Sequence, residues 1–450
     1  MKDSSPFVPD EETLRFALDH QDADVRSLAL RGAPAGVDLH AALIQIEGHQ
    51  LALPKLPTWA RVEGVLWPAR LSLEPCSSEA TAADKRQTVQ RLLDSYLPAS
   101  LPSSSDTRAF PKGSSFADLT AGFGVDFATL APLFDHATYV EQQASLCALA
   151  RHNSPLLGLA HAEIRHATAA EVLQERLTRP AAHPYTLLLL DPARRDAAGR
   201  KVALLEHCTP NVIALKEQLR AAAHVILLKL SPMLDITAAA NALAPIAEVH
   251  VVAVNGECKE LLMVMEGSLC AHPREDGSLS MVPIHCIDIS PSTTAPIGTT
   301  SSSGTAARSP QPFIFSRSEE SSAPLSLANA LGPYLFEPNA ALLKAGAYRL
   351  ISQRYGIEKL APSTHLYTAD RPVDEFPGRQ WRVIASTSFS KRELRSFLAD
   401  IPAADLTTRG FPLSTEQLRH QLHLRTGGGT HLIATTLADG KRILCQVERC

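Results

Sequence analysis

The chain has 450 residues, more than one ordinary core can organise, so two to four domains are expected. Hydrophobic residues make up 45% and charged residues 20%, at a net charge of −4, which excludes disordered, fibrous and membrane-embedded classes. Residues 1–10 hold no apolar stretch and no run reaches the length of a membrane helix. The eight cysteines contain no C-x-x-C pair, so neither a disulfide scaffold nor a metal site is indicated and a reducing cytoplasm is expected.

Residues 1–100 read as a helical region separate from the sheet. Glu11–His20, Asp24–Arg31 and His40–Gln50 carry helical apolar spacing, and Pro54, Pro57 and Pro68 break the chain around Trp59 and Trp67. Ser77 or Ser78 can cap a helix running to Leu93, and the segment 74–81 is expected either to cover a ligand site or simply to cap a packing helix. From Ser115 the pattern becomes strand, glycine turn, helix, strand, helix. Gly122 and Gly124 make the turn, and Glu141 stands on the next strand. The run Ala162–Ala167 is a third strand. YTLLLLDP (185–192) has the apolar character of a strand buried on both faces, and HVILLKLSP (224–232) is a fifth. Helices are expected at Asn211–Ala222 and Asp235–Leu243, and EVHVVAVNG with KELLMVMEG reads as a terminal antiparallel pair. Strands alternating with helices mean right-handed crossovers and a doubly wound sheet, with ligands at the carboxyl ends of the strands, where Asp118, Glu141 and Asp191 fall.

Residues 290–310, SPSTTAPIGTTSSSGTAARSP, lack aromatics and carry one charge, so a flexible loop or linker is expected. The stretch LFEPNAALLKAGAYRLISQRYG predicts one helix, with Pro338 just inside its start and Gly356 after its end. The tail mixes strands (WRVIAS, THLIATTL, KRILCQVE) with helices at Lys391–Ala399 and Ser414–Leu424, and Gly427–Gly429 reads as a turn. Residues 341–450 hold 16 Lys and Arg against 10 Asp and Glu, a net +6 on an otherwise acidic chain. That asymmetry is either a grip for a polyanion or a solvated basic surface.

The turn favours one class of nucleotide ligand. A dinucleotide fingerprint wants a third glycine where Phe127 stands, whereas Asp118 lies four residues before the first glycine. This D-x-x-x-G-x-G pattern resembles motif I of class I methyltransferases that use S-adenosylmethionine (SAM), which implies Asp118 near the methionine end of the cofactor and Glu141 on the ribose. DPAR (191–194) looks like the Asp-Pro-Pro-Tyr signature of amino methyltransferases, with Ala193 in place of a proline and Arg194 in place of the stacking aromatic. A carboxylate and a carbonyl fixed by proline can accept hydrogen bonds from an amino group and hold it against a methyl donor. Carbon methylation would need a cysteine nucleophile, and Cys258 reads better as a structural thiol. Lys229, among apolar strand residues, either meets phosphate or pairs with Asp191.

Taken together, SLEPCSSEATAADK, DLTAGFGVD, YVEQ, ARHN, LLLLDPARRD, VNGECKELL and YLFEPNAALLKAGAY resemble a family of bacterial class I SAM-dependent methyltransferases with a THUMP-like C-terminal domain. The resemblance implies an α/β protein: a helical N-terminal region (1–100), a Rossmann-like methyltransferase sheet (101–287), a ferredoxin-like segment (288–365) and a THUMP-like α+β domain (366–450). It implies cofactor contacts from Asp118, Thr120, Gly122, Gly124, Asp126, Glu141, Thr168 and Asp191, and an acceptor site of Asp191, Pro192 and Arg194. The expected activity is methylation of an exocyclic amino group in structured RNA held by the basic end. A small-molecule or protein methyltransferase, or a non-catalytic SAM- or RNA-binding protein, stands as the alternative.

Overall fold

The computed structural model describes residues 8–96, 113–179, 183–193, 205–268, 279–289 and 311–450. They form two compact units, one within Met1–Val249, Glu260–Leu279 and Ile289–Ser309, the other within His250–Lys259, Ser280–Asp288 and Pro310–Cys450. Both Arg194 and the Ser/Thr-rich stretch 290–310 lie outside the described residues. No helix among the described residues is long and apolar enough to cross a membrane.

The first unit opens with helices α1 (Glu11–Asp19), α2 (Val25–Arg31), α3 (Leu39–Ala52), α4 (Arg70–Leu73) and α5 (Glu79–Tyr96). The alternation then runs β1 (Ser115–Asp118), α6 (Val125–Leu130), β2 (His136–Glu141), α7 (Ala144–Leu156), β3 (Glu163–His166), α8 (Ala169–Thr178), β4 (Tyr185–Leu190), α9 (Val212–Ala222), β5 (Ala223–Leu230), α10 (Ile236–Leu243), β6 (Ile246–Val254) and β7 (Glu257–Glu266). Strand order over these elements is β3-β2-β1-β4-β5-β7-β6, the first seven positions of a nine-stranded sheet. The first five strands pair in parallel, and β7 inserts antiparallel to β5, from Val225↔Glu266 to Leu230↔Leu261. All six residues of β4 are buried, as a strand covered on both faces requires. Winding reverses between β1 and β4, so the carboxyl ends of these two strands flank the crevice where such sheets bind ligands.

The N-terminal helices pack on that end of the sheet. Phe123, between the two glycines, turns its ring outward against Trp59 and Trp67, with centroids 5.2 and 5.8 Å away. Ala52, Leu56, Leu73 and Ala82 complete this apolar cluster. Residues Leu66 and Trp67, between the prolines, are held as if in a sheet, but by side-chain amides. Asn153 on α7 accepts the Leu66 N–H and donates to the Leu66 carbonyl, both at 2.9 Å. Gln45 on α3 does the same for Trp67 at 2.8 and 3.0 Å.

In the second unit β8 (Ile284–Ile289) pairs antiparallel with β9 (Phe313–Phe315), and α11 (Arg317–Ser322) follows. The single helix expected over 335–356 is instead a strand, β10 (Tyr334–Pro338), and two short helices, α12 (Ala340–Ala345) and α13 (Tyr348–Tyr355). Pro338 ends the strand, Asn339 caps α12 by accepting the Leu342 N–H, and Gly346 at φ 80° breaks the helix in two. Then come β11 (Glu358–Lys359), β12 (Tyr367–Ala369), β13 (Gly378–Ser388), α14 (Lys391–Phe397), β14 (Asp405–Arg409), α15 (Thr415–Leu422), β15 (His431–Thr436) and β16 (Arg442–Arg449), in one sheet of order β11-β12-β10-β13-β16-β15-β14. Glu337 on β10, nearly buried, pairs with Arg409 at 2.5 Å and Arg379 at 3.5 Å.

Removing the Asn153 side chain strands a buried N–H and a buried carbonyl together. Asn153→Ala is expected to lower the stability of the first unit by about 3 kcal/mol in urea unfolding, far more than an exposed Asn→Ala change on the same helix.

Candidate active site

The glycine turn is closed by Gly124 N–H donating to the Ala121 carbonyl at 2.8 Å, with Gly122 and Gly124 at φ 57° and 91°. A Cβ at Gly124 would lie 3.3 Å from the Tyr139 ring, so position 124 is doubly restricted, by backbone and by space. Tyr139 hydroxyl donates to the Gly122 carbonyl and fixes the turn from below. Glu141, at the end of β2, accepts the Gly122 N–H at 3.0 Å and the Gln143 N–H at 2.8 Å. Its carboxylate therefore faces the bare turn.

Asp118 ends β1 fully buried and accepts the Thr120 N–H at 3.1 Å. Burial pushes its carboxyl well above the usual range; the Thr120 bond works against this, and Asp126 and Asp191 add to it. The Thr120 hydroxyl accepts the Asp191 N–H at 2.6 Å and so ties the loop after β1 to the end of β4. Pro192 is buried behind Asp191, and Ala193 exchanges two backbone hydrogen bonds with Thr209, at 2.8 and 3.1 Å. Thr168 is at the end of β3 but is occupied: its side chain caps α8 in a reciprocal capping box with Glu171. Asn255 and Gly256 form the turn after β6, and Glu257 pairs in solvent with Lys259 at 2.7 Å. The Cys258 thiol donates to the Ala340 carbonyl, and burial pushes it up to about 11, so it is no resting nucleophile.

Asp126 departs most from simple expectation. It faces a buried ionic cluster that sequence reasoning did not assemble. The Ser77 hydroxyl donates to its Oδ2 at 2.7 Å, Lys85 Nζ is 3.3 Å from Oδ1, and Lys229 Nζ is 3.7 Å from Oδ2. Lys85 also bonds both oxygens of Glu260 at 2.6 and 2.7 Å. The expected pairing of Lys229 with Asp191 is present at 2.5 Å, with Asp191 about two-fifths exposed. Burial alone would pull Lys229 down and push Asp126 up; the opposite charges around each reverse both shifts, so Lys229 is raised and Asp126 lowered. Glu260 is raised, because burial outweighs Lys85 and Lys229. The signal available in the sequence was a lysine at a helix position whose neighbours are apolar or small, Ala82 and Val89 in the adjacent turns.

An ion this deep cannot lose its partner cheaply. Lys85→Met is expected to cost about 3–5 kcal/mol in urea unfolding, and adding Glu260→Gln should return more than half of the loss, since it removes the orphaned charge.

Comparison with known proteins agrees with this geometry. Residues 334–377 match a ferredoxin-like domain family and residues 378–449 a THUMP domain-like family. An uncharacterized SAM-dependent methyltransferase, found in Mycobacterium tuberculosis strains CDC 1551 and H37Rv, is 24% identical over 325 residues, 72% of this chain and 77% of the relative. A crystal structure of a candidate methyltransferase from Porphyromonas gingivalis W83 is 31% identical, covers 98% of this chain and 99% of its own, and superposes with a TM-score of 0.76. With a doubly wound sheet, a glycine turn faced by Glu141, and both C-terminal domains matched, the chain belongs to the SAM-dependent class I methyltransferases that carry ferredoxin-like and THUMP-like C-terminal domains.

Proposed function

We propose that this methyltransferase acts on an exocyclic amino group of structured RNA, with Asp191 on the acceptor side and the basic C-terminal domains binding the RNA. The observation that carries the reading is the position of Asp191 at the end of β4, next to the crevice and tied by Thr120 to the loop that follows Asp118. The residues present suit the cofactor: two glycines leave bare backbone at the turn, and each oxygen of Glu141 accepts one hydrogen bond, leaving lone pairs for ribose hydroxyls. SAM supplies a methyl group already activated on a sulfonium. In this reading Gly122, Gly124, Asp126 and Thr120 shape the cofactor site, Asp118 faces the methionine end, and Thr168 leaves adenine to backbone groups. Asp191 and the Pro192 carbonyl accept hydrogen bonds from the acceptor amino group, so that its lone pair points at the methyl. Arg194 follows them in sequence and would stack on or neutralise the acceptor. The net +6 of residues 341–450 and the THUMP domain-like match favour RNA over a small molecule.

Tritium from labelled SAM should enter total RNA with the wild-type chain and fall at least about 100-fold with Asp191→Ala, a residue asked to supply orientation. No incorporation into any RNA pool would sink the RNA reading. Asp118 provides a second check with an unusual sign. Its raised folded-state pKa means that the native chain holds this proton more tightly than the unfolded one, so stability falls as pH climbs from near 3.8 toward the folded value. Asp118→Asn should therefore unfold at a higher temperature than wild type at pH 7.5, with the gap closing toward pH 4. In calorimetry the same variant should bind SAM roughly 10- to 100-fold more weakly.

A further inference from the structure

We propose that Lys229 is the positioning residue of the acceptor subsite and sets its chemical preference: by holding one oxygen of Asp191 it selects an uncharged amino group and rejects an alkylammonium. This rests on the reading of Asp191 as the acceptor-side carboxylate. Lys229 lies on β5 beside β4, nearly buried, with Nζ 2.5 Å from Asp191 Oδ2 and 3.7 Å from Asp126 Oδ2. It is not free to move away, because Asp126 is itself held by Ser77 and by Lys85, and Lys85 is anchored on Glu260. The chain of contacts thus runs from the start of α5, through α6 and β7, to the one carboxylate of the set that reaches solvent.

Charge counting gives the preference. Two ammonium groups, Lys85 and Lys229, face three carboxylates, Asp126, Glu260 and Asp191. A cofactor sulfonium would add a further positive charge. A neutral amino group can then donate to the remaining oxygen of Asp191 at no charge cost, whereas an alkylammonium adds a positive charge beside Lys229. An alkylammonium would also have to lose a proton before it could react. In the transfer the acceptor nitrogen gains the methyl carbon as the carbon–sulfur bond breaks with its electron pair left on sulfur. The nitrogen then sheds one proton to the exposed side of Asp191 and on to solvent.

The test uses the full chain in three arms. Thermal unfolding of Lys229→Met, Asp191→Asn and the double variant needs no substrate. The double variant should unfold at a higher temperature than Lys229→Met alone, and additive losses would overturn the pairing. Calorimetry should show Lys229→Met binding SAM within about threefold of wild type, and a larger loss would mean that the lysine serves the cofactor instead. Labelled SAM is then offered to total RNA and, separately, to RNase-treated cell protein. Wild type should label amino groups of bases, Lys229→Met should lose at least about 30-fold, and Lys229→Arg should recover part of it. Label on lysine side chains of protein, or unchanged RNA labelling by Lys229→Met, overturns the proposal. No label in either pool from wild type sinks the methyl-transfer reading and this one with it, while the unfolding cycle still reports whether the pair exists.

Discussion

An ammonium group sealed inside a protein has to be matched by carboxylates at bonding distance, and this requirement at Lys85 organises the first unit. Lys85 is fully buried and reaches Glu260 and Asp126 together. Its helix belongs to the N-terminal region and its partners to β7 and α6, so satisfying one charge fixes three elements around the end of the sheet. Lys229 extends the same logic to Asp191. Such a cluster is weak evidence of stability, since apolar residues of equal volume often serve better. The cluster links α5, α6, β5 and β7 and ends on Asp191, its one partly exposed carboxylate.

The uncharged contacts work to the same end. Asn153 and Gln45 give Leu66 and Trp67 the hydrogen bonds a neighbouring strand would have given, which lets an irregular, proline-flanked segment lie buried. That segment presents Trp67 to Phe123. The helical region is thus the outer wall of the glycine turn. In the second unit Glu337 plays a comparable part, joining the ferredoxin-like match (through β10) to the THUMP-like one (through β13 and β14) across a shared sheet.

Local features were legible in the sequence, whereas of the long-range ionic pairings only Lys229 with Asp191 was. The turn of Gly122 and Gly124, the buried run YTLLLL and the helices that begin after Asn211 and Asp235 are each set by neighbours within a few residues, so their elements fall where periodicity puts them. Asn153 stood in a recognisable motif, but its role depends on Leu66, 87 positions away. Lys85 and Glu260 are 175 positions apart, and nothing local distinguishes Glu260 from the solvent-facing Glu257 three residues before it. The stretch 335–356 misled for a different reason. Its helical spacing is real, but Pro338 ends a strand whose partners, β12 and β13, come later in the chain, and Gly346 adopts a conformation that stops the helix. Thr168 shows a third kind of gap: a position fixed correctly at the end of β3 is consumed by a capping role that any Thr-x-x-Glu can adopt.

Phe123 has a consequence for how such a protein can be rearranged. A glycine turn at a strand end needs only its own backbone and the helix that follows to meet a ligand. Here the residue between its two glycines is a plug in somebody else's wall, since its ring is seated among Trp59, Trp67 and Leu56. A shortened chain beginning at residue 113 would open a hydrophobic wound beside the turn and strip Lys85 from Glu260 and Asp126 in one stroke. The N-terminal helices and the sheet are therefore expected to be transplanted only as a single piece.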